Sequence, residues 1–132
     1  MALFKKKQPL IKSLIAHGSR IDGLLVFSEG MRIDGEVRGN IHARGDVPSL
    51  LVISESAQVQ GEIRADHVIV NGHVRGPVHA LVMLELQPKA RIEGDVHYRA
   101  LESHQGATIA GQLKPLAAAE EKPTLKLAAN NF

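Results

Sequence analysis

An apolar residue, any residue, glycine, any residue and a second apolar residue recur six times along this chain. The copies are Ile21-Asp22-Gly23-Leu24-Leu25, Val37-Arg38-Gly39-Asn40-Ile41, Val59-Gln60-Gly61-Glu62-Ile63, Val74-Arg75-Gly76-Pro77-Val78, Ile92-Glu93-Gly94-Asp95-Val96 and Ile109-Ala110-Gly111-Gln112-Leu113. Their glycines stand 16, 22, 15, 18 and 17 residues apart. Alternation of apolar and polar residues is the period of a half-buried strand. A helix is excluded, because each interior glycine would cost about 1 kcal/mol relative to alanine and the period is not 3.6. Units of about 18 residues, each with roughly three short strands, predict a coil of about six turns. Successive turns then stack at about 4.8 Å. No turn can bury its inner face alone, so stability resides in the interfaces between turns.

Other columns test this register. Four residues before each glycine stand Ser19, Gly35, Ala57, Gly72, Ala90 and Ala107, all small. Eight before stand Ile15, Met31, Ile53, Val68, Leu86 and Ser103, apolar but for the last. The repeat glycine is expected at an inward position where the backbone bends or meets its neighbour closely. The small column is expected to serve another corner, and the Ile-Asp-Gly and Val-Asn-Gly tripeptides are read as strand. The long interval contains a predicted loop, Arg44–Ser49. An aliphatic core is expected to run unbroken from Ile21 to Leu113.

Composition agrees with a narrow core. Apolar residues make up 44% of the chain, yet it holds three Phe, one Tyr and no Trp. With no cysteine, disulfide and thiolate-metal chemistry are excluded. No apolar run approaches the ~20 residues of a membrane-spanning helix, and the N-terminus does not read as a secretory signal. A cytoplasmic location is therefore expected. The formal charge of +2 and the lack of a long basic run in the body of the chain give no case for nucleic acid.

Seven histidines invite a metal hypothesis, since trimeric β-helical carbonic anhydrases bind zinc through histidine. Here His67, His73 and His79 fall on different sides of a three-sided coil and diverge. His79 and His97 should stack on adjacent turns. Three residues after each repeat glycine stand Val26, His42, Arg64, His79, His97 and Lys114, an outward basic stripe whose Arg and Lys do not suit a metal cage. Asp22, Asp34, Glu36, Glu62, Glu93 and Asp95 read as solubilising surface charge, and no nucleophile, phosphate-loop or zinc-protease motif occurs. No catalytic, cofactor or metal residue is assigned, and no enzyme is expected.

Three segments follow: an N-terminal tail over 1–14, a coil over 15–114 and a C-terminal tail over 115–132, both tails expected to be flexible. The tail begins Met1-Ala2-Leu3-Phe4-Lys5-Lys6-Lys7. One reading is a solvated terminus. The other is a peripheral membrane anchor in which Leu3 and Phe4 enter the interface while Lys5, Lys6 and Lys7 attract anionic lipid. The coil's terminal turns expose strand edges and core side chains, which nominates Ile15, Ile21 and Leu25 at one end and Ile109 and Leu113 at the other as a polymerisation interface.

The segment Ile33-Asp34-Gly35-Glu36-Val37-Arg38-Gly39-Asn40-Ile41 resembles the signature of bactofilins, as do Val59–Ile63 and Ile92–Val96. The resemblance covers about residues 15–114, and Met1–Lys7 is similar to the membrane-targeting peptide of many bactofilins. It implies an all-β fold, a right-handed triangular β-helix. It also implies nucleotide-independent assembly into non-polar filaments at the inner face of the bacterial cytoplasmic membrane. Family roles include control of cell shape and positioning of cell-wall synthases or hydrolases. Many relatives carry a large apolar residue in the last turn, where this chain has Thr108 and Ile109. Two alternatives differ in class: a β-helical enzyme of acyltransferase or carbonic-anhydrase type, and a monomeric binding module using the basic stripe.

Overall fold

The computed structural model describes residues 9–116. Every regular element among them is a strand, and every strand pair is parallel. The strands form three ladders of six rungs, which are the three faces of one β-solenoid. The first face stacks Ile11–Ile15, Gly30–Ile33, Leu50–Ile53, the later parts of Ile63–Val70 and Val78–Leu86, and Leu101–Ser103. The second stacks Arg20–Asp22, Glu36–Arg38, Gln58–Gln60, His73–Arg75, Arg91–Glu93 and Thr108–Ala110. The third stacks Leu25–Phe27, Ile41–Ala43, the early parts of Ile63–Val70 and Val78–Leu86, Val96–Tyr98 and Leu113–Pro115. Those two long strands round a corner without breaking. The first rung begins at Ile11, ahead of the start expected at residue 15.

Period-two alternation sends every second side chain inward, where like stacks on like. Val37, Val59, Val74 and Ile92 form one fully buried column, and Ile41, Ile63, Val78 and Val96 another. Buried Ala65 and Ala80 sit beside the latter. The fully buried part of the core runs from Phe27 to Val96, shorter than the expected span. Ile21, Leu25 and Ile109 are only half-buried, and Leu113 is 48% exposed, because among the described residues the outermost rungs have a neighbour on one side only.

The recurrent motif is not one strand. Its two apolar residues belong to different faces, and the glycine between them makes the corner from the second face to the third. Gly39, Gly61, Gly76 and Gly94 have φ near +150°, which L side chains rarely adopt. A Cβ on Gly61 would lie 2.1 Å from the Gly39 carbonyl oxygen, and one on Gly76 would lie 2.2 Å from that of Gly61. Glycine is therefore required twice over, by backbone conformation and by the close approach of one corner to the next.

The small column also lies at a corner, between the first and second faces, but this corner has two lengths. Ala16–Ser19, Ser54–Ala57, Gln87–Ala90 and His104–Ala107 are four-residue turns closed by an N–H donating to the carbonyl three residues earlier, as from Ala57 to Ser54 (3.0 Å). In the second and fourth turns only Asp34-Gly35 and Asn71-Gly72 intervene. These Asp-Gly and Asn-Gly pairs are corners, not the strand positions expected. A Cβ on Gly72 would lie 2.2 Å from the Ser54 carbonyl oxygen, so the short corner tucks beneath the turn before it. The omitted pair of residues explains the uneven spacing. Ile15, Ile33, Ile53, Val70, Leu86 and Ser103 are the true column. Counting back eight residues finds Met31 and Val68 instead, displaced by two, which leaves them facing inward all the same.

The loop Arg44–Ser49 bulges from the corner between the third and first faces, as predicted. Its base is tied down by reciprocal hydrogen bonds: the Ser49 N–H donates to Asp66 Oδ2 (3.1 Å), and the Asp66 N–H donates to Ser49 Oγ (2.9 Å).

Gly61→Ala should therefore destabilise the coil by on the order of 2 kcal/mol or more. Gly45→Ala, where a Cβ meets nothing within 4 Å, should stay within about 0.5 kcal/mol of the parent. Urea unfolding followed by circular dichroism would compare them. Val59→Asp or Val74→Asp buries an unpaired carboxylate and should abolish the β signal outright; a retained spectrum would contradict this register.

Candidate assembly ends and the histidine-bearing face

Both ends of the coil leave core columns open. At the N-terminal end Ile15, Ile21 and Leu25 pack on the core from one side and are half-buried. At the C-terminal end Ile109 is half-buried and Leu113 exposed. Fully burying an aliphatic side chain is worth roughly 1.5–3 kcal/mol. Five such residues at half cover leave on the order of 5 kcal/mol per chain available to a further rung. Among the described residues, the edge strands Ile11–Ile15, Arg20–Asp22 and Leu25–Phe27 at one end, and Leu101–Ser103, Thr108–Ala110 and Leu113–Pro115 at the other, have a ladder partner on one side only. Leu3, Phe4, Lys5, Lys6 and Lys7 lie outside the described residues.

The first turn is also apolar on its outward sides, a feature that the spacing of the glycine motif does not reveal. Leu14, Leu24 and Val26 are more than half exposed. One rung further on, the same columns carry Arg32, Asn40 and His42. In the last turn they carry Glu102, Gln112 and Lys114, so a terminal position does not by itself make them apolar. The contrast is visible in the sequence once the outward columns are aligned turn by turn.

On the third face the column Val26, His42, Arg64, His79, His97 and Lys114 projects outward in register. The His79 and His97 rings stack with centroids 4.4 Å apart and planes 9° from parallel, as the 18-residue spacing requires. Glu62, at the edge of this face, holds the column together. Its carboxylate oxygens lie 3.1 Å from His42 Nε2 and 2.9 Å from His79 Nε2, with Arg64 at 3.9 Å. Asp95 pairs with Lys114 at 3.4 Å and accepts the Gln112 N–H at 3.0 Å. The stripe is thus partly covered, not wholly solvated. His67, His73 and His79 occupy the first, second and third faces and diverge.

Burial pushes His79 below the usual imidazole range, and the charges of Arg64 and His97 push the same way, outweighing Glu62. Burial would raise Glu62, but hydrogen bonding by His42 and the charges of His79 and Arg64 hold it below the usual carboxylate range. The linkage follows from these directions. Below the ordinary imidazole pKa the unfolded chain takes up a proton at residue 79 that the folded coil resists, so stability falls as pH drops through about 6.5. His79→Gln should flatten that slope between pH 7.5 and 5.5, read from urea midpoints. Glu62 adds stability above its unfolded pKa and loses it only in more acid solution, outside that window.

Two further constellations came only from the structure. Glu85 stacks on Glu102, and His104 joins them at the next corner, their ligand atoms all within 4.8 Å. His104 Nε2 lies 3.1 Å from Glu85 and 3.6 Å from Glu102, so the trio is a solvent-facing ion-paired cluster. A notch opens over the short Asp34-Gly35 corner between its longer neighbours, lined by His17, Arg32, Ser54 and Ser56. Its groups satisfy one another: Arg32 pairs with Asp34 at 2.8 Å, and Ser56 Oγ donates to the Asp34 carbonyl at 2.8 Å. Hydrogen bonds from Ser54 and Arg32 hold the Asp34 carboxyl below its usual range, which suits a fixed anion and not a proton shuttle.

A family model described as Bactofilin, polymer-forming cytoskeletal, matches residues 13–114. No curated protein and no solved structure matches the chain significantly.

Proposed function

This chain belongs to the bactofilin family of polymer-forming cytoskeletal proteins, and from that premise we propose that it assembles end to end into non-polar filaments at the cytoplasmic membrane. The observation that carries the proposal is the pair of open ends: Ile15, Ile21 and Leu25 on one side, Ile109 and Leu113 on the other, all packed on or continuous with a core that has no further rung among the described residues. Docking covers these side chains and extends the ladders, and neither gain requires a nucleotide. Leu3 and Phe4 with Lys5, Lys6 and Lys7 are proposed as the membrane anchor. Each lysine near an anionic surface adds about 1 kcal/mol, and copies repeated along a filament multiply a weak single contact. The polymer then serves as a scaffold for cell-shape or cell-wall machinery, including synthases or hydrolases.

Ile109→Arg should leave the subunit folded, because the last rung has one neighbour, yet block growth at that end. Electron microscopy should show short oligomers in place of filaments; long filaments would exclude the C-terminal rung as an assembly surface. Deleting residues 2–7 should abolish sedimentation with vesicles of equal parts phosphatidylcholine and phosphatidylglycerol while filaments persist. Unchanged vesicle binding at physiological salt would remove the anchor.

A further inference from the structure

We propose that the third face is the side of the rod that lies against an anionic bilayer. The inference rests on the membrane-bound reading above and assigns that contact to one face of three.

Charge sets the faces apart. The outward strand column of the third face, Val26, His42, Arg64, His79, His97 and Lys114, contains no carboxylate. The first face presents Glu85 and Glu102 at outward positions. The second presents Asp22, Glu36 and Glu93 among its arginines. The acids at its two edges are already partnered: Glu62 with His42, His79 and Arg64, Asp95 with Lys114, Glu29 with Lys12, Asp46 with Arg44, and Asp66 with the Ser49 N–H. From His42 to Lys114 the ladder carries one nitrogen-bearing side chain per rung, about 4.8 Å apart, which suits a plane of lipid phosphates.

Apolar exposure in the first turn reaches this face as well as the first face, where Ile11 and Leu14 project. Leu24 and Val26 project from the N-terminal rung of the third face, 63% and 54% exposed. They stand beside the column's cations as an interfacial anchor stands beside basic residues. The chain also reaches its first rung at the corner bordering this face, where Leu10 is 77% exposed.

The test compares equal charge changes on two faces of the full-length chain, with vesicles of equal parts phosphatidylcholine and phosphatidylglycerol as the probe. Arg64→Gln with Lys114→Gln removes two cations from the third face; Arg38→Gln with Arg75→Gln removes two from the second. A basic group at an anionic surface is worth about fivefold in binding. The third-face pair should therefore lose roughly tenfold or more in vesicle partitioning and the second-face pair only a small fraction of that. Leu24→Ser with Val26→Ser, which leaves the core untouched, should weaken binding as well. Circular dichroism matching the parent certifies the fold of each variant. Equal losses from both faces, or no loss from the third, would overturn the assignment. So would third-face-dependent binding of a DNA duplex without vesicle binding, which would make the stripe a nucleic-acid site. Deletion of residues 2–7 is scored separately: if it leaves binding unchanged, the anchor fails while the comparison of faces still stands.

Discussion

The close approach of one glycine corner to the next sets the geometry of the whole rod. At Gly39, Gly61, Gly76, Gly94 and Gly111 the backbone rests on the carbonyl of the repeat glycine one turn earlier, with no room for a Cβ. That contact fixes the rung spacing at the corner from the second face to the third, which is always two residues long. The valine and isoleucine columns on either side then meet in register. The other two corners vary freely. One is either two or four residues long, and the other accommodates anything from the single Asp66 to the loop Arg44–Ser49. A solenoid needs one invariant corner per turn to keep its rungs aligned, and length differences elsewhere become surface relief.

Polar groups at the corners follow the same logic. A bend leaves backbone N–H groups short of strand partners, and asparagine or aspartate side chains supply them. Asn40 Oδ1 accepts the Glu62 N–H, Asn71 Oδ1 the Lys89 N–H and Asp95 Oδ1 the Gln112 N–H, each reaching to the following turn. These residues add rung-to-rung bonds where the ladders pause.

The number of turns, the strand period, the aliphatic core and the stacking of His79 on His97 were legible in the sequence because each depends on parity and spacing alone. What escaped was where the chain bends. An alternating pentapeptide reads as one strand, and only the positive φ of Gly61 or Gly76 shows that its halves lie on different faces. The eight-residue column misplaced Met31 and Val68 without consequence, since a slip of two preserves which side is buried. Glu62 was assigned to solubility, whereas it joins His42 to His79 across two turns. That role depends on two residues from different turns meeting one carboxylate, which no linear spacing revealed without knowing the corner lengths. The apolar outward side of the first turn was legible in principle, from Leu14, Leu24 and Val26 against Arg32, Asn40 and His42.

The two ends of the coil are chemically unequal, which bears on how they would join in the proposed filament. The N-terminal edge includes the five-residue strand Ile11–Ile15, and each of its residues has a backbone N–H. The C-terminal edge is built of three-residue strands, one of which ends in Pro115. Proline has no N–H to offer another rung, and Lys114 beside it adds a charge to the outward side of the same strand. Hydrogen-bond ladders can therefore extend further from the first turn than from the last. A joint at the C-terminal end must lean on side-chain burial, chiefly Ile109 and Leu113, with Leu101 and Ala107 half-buried beside them. Such a joint would be sensitive to a single charge, whereas a joint at the N-terminal end would divide its free energy among backbone pairing, the core column and the apolar collar around it.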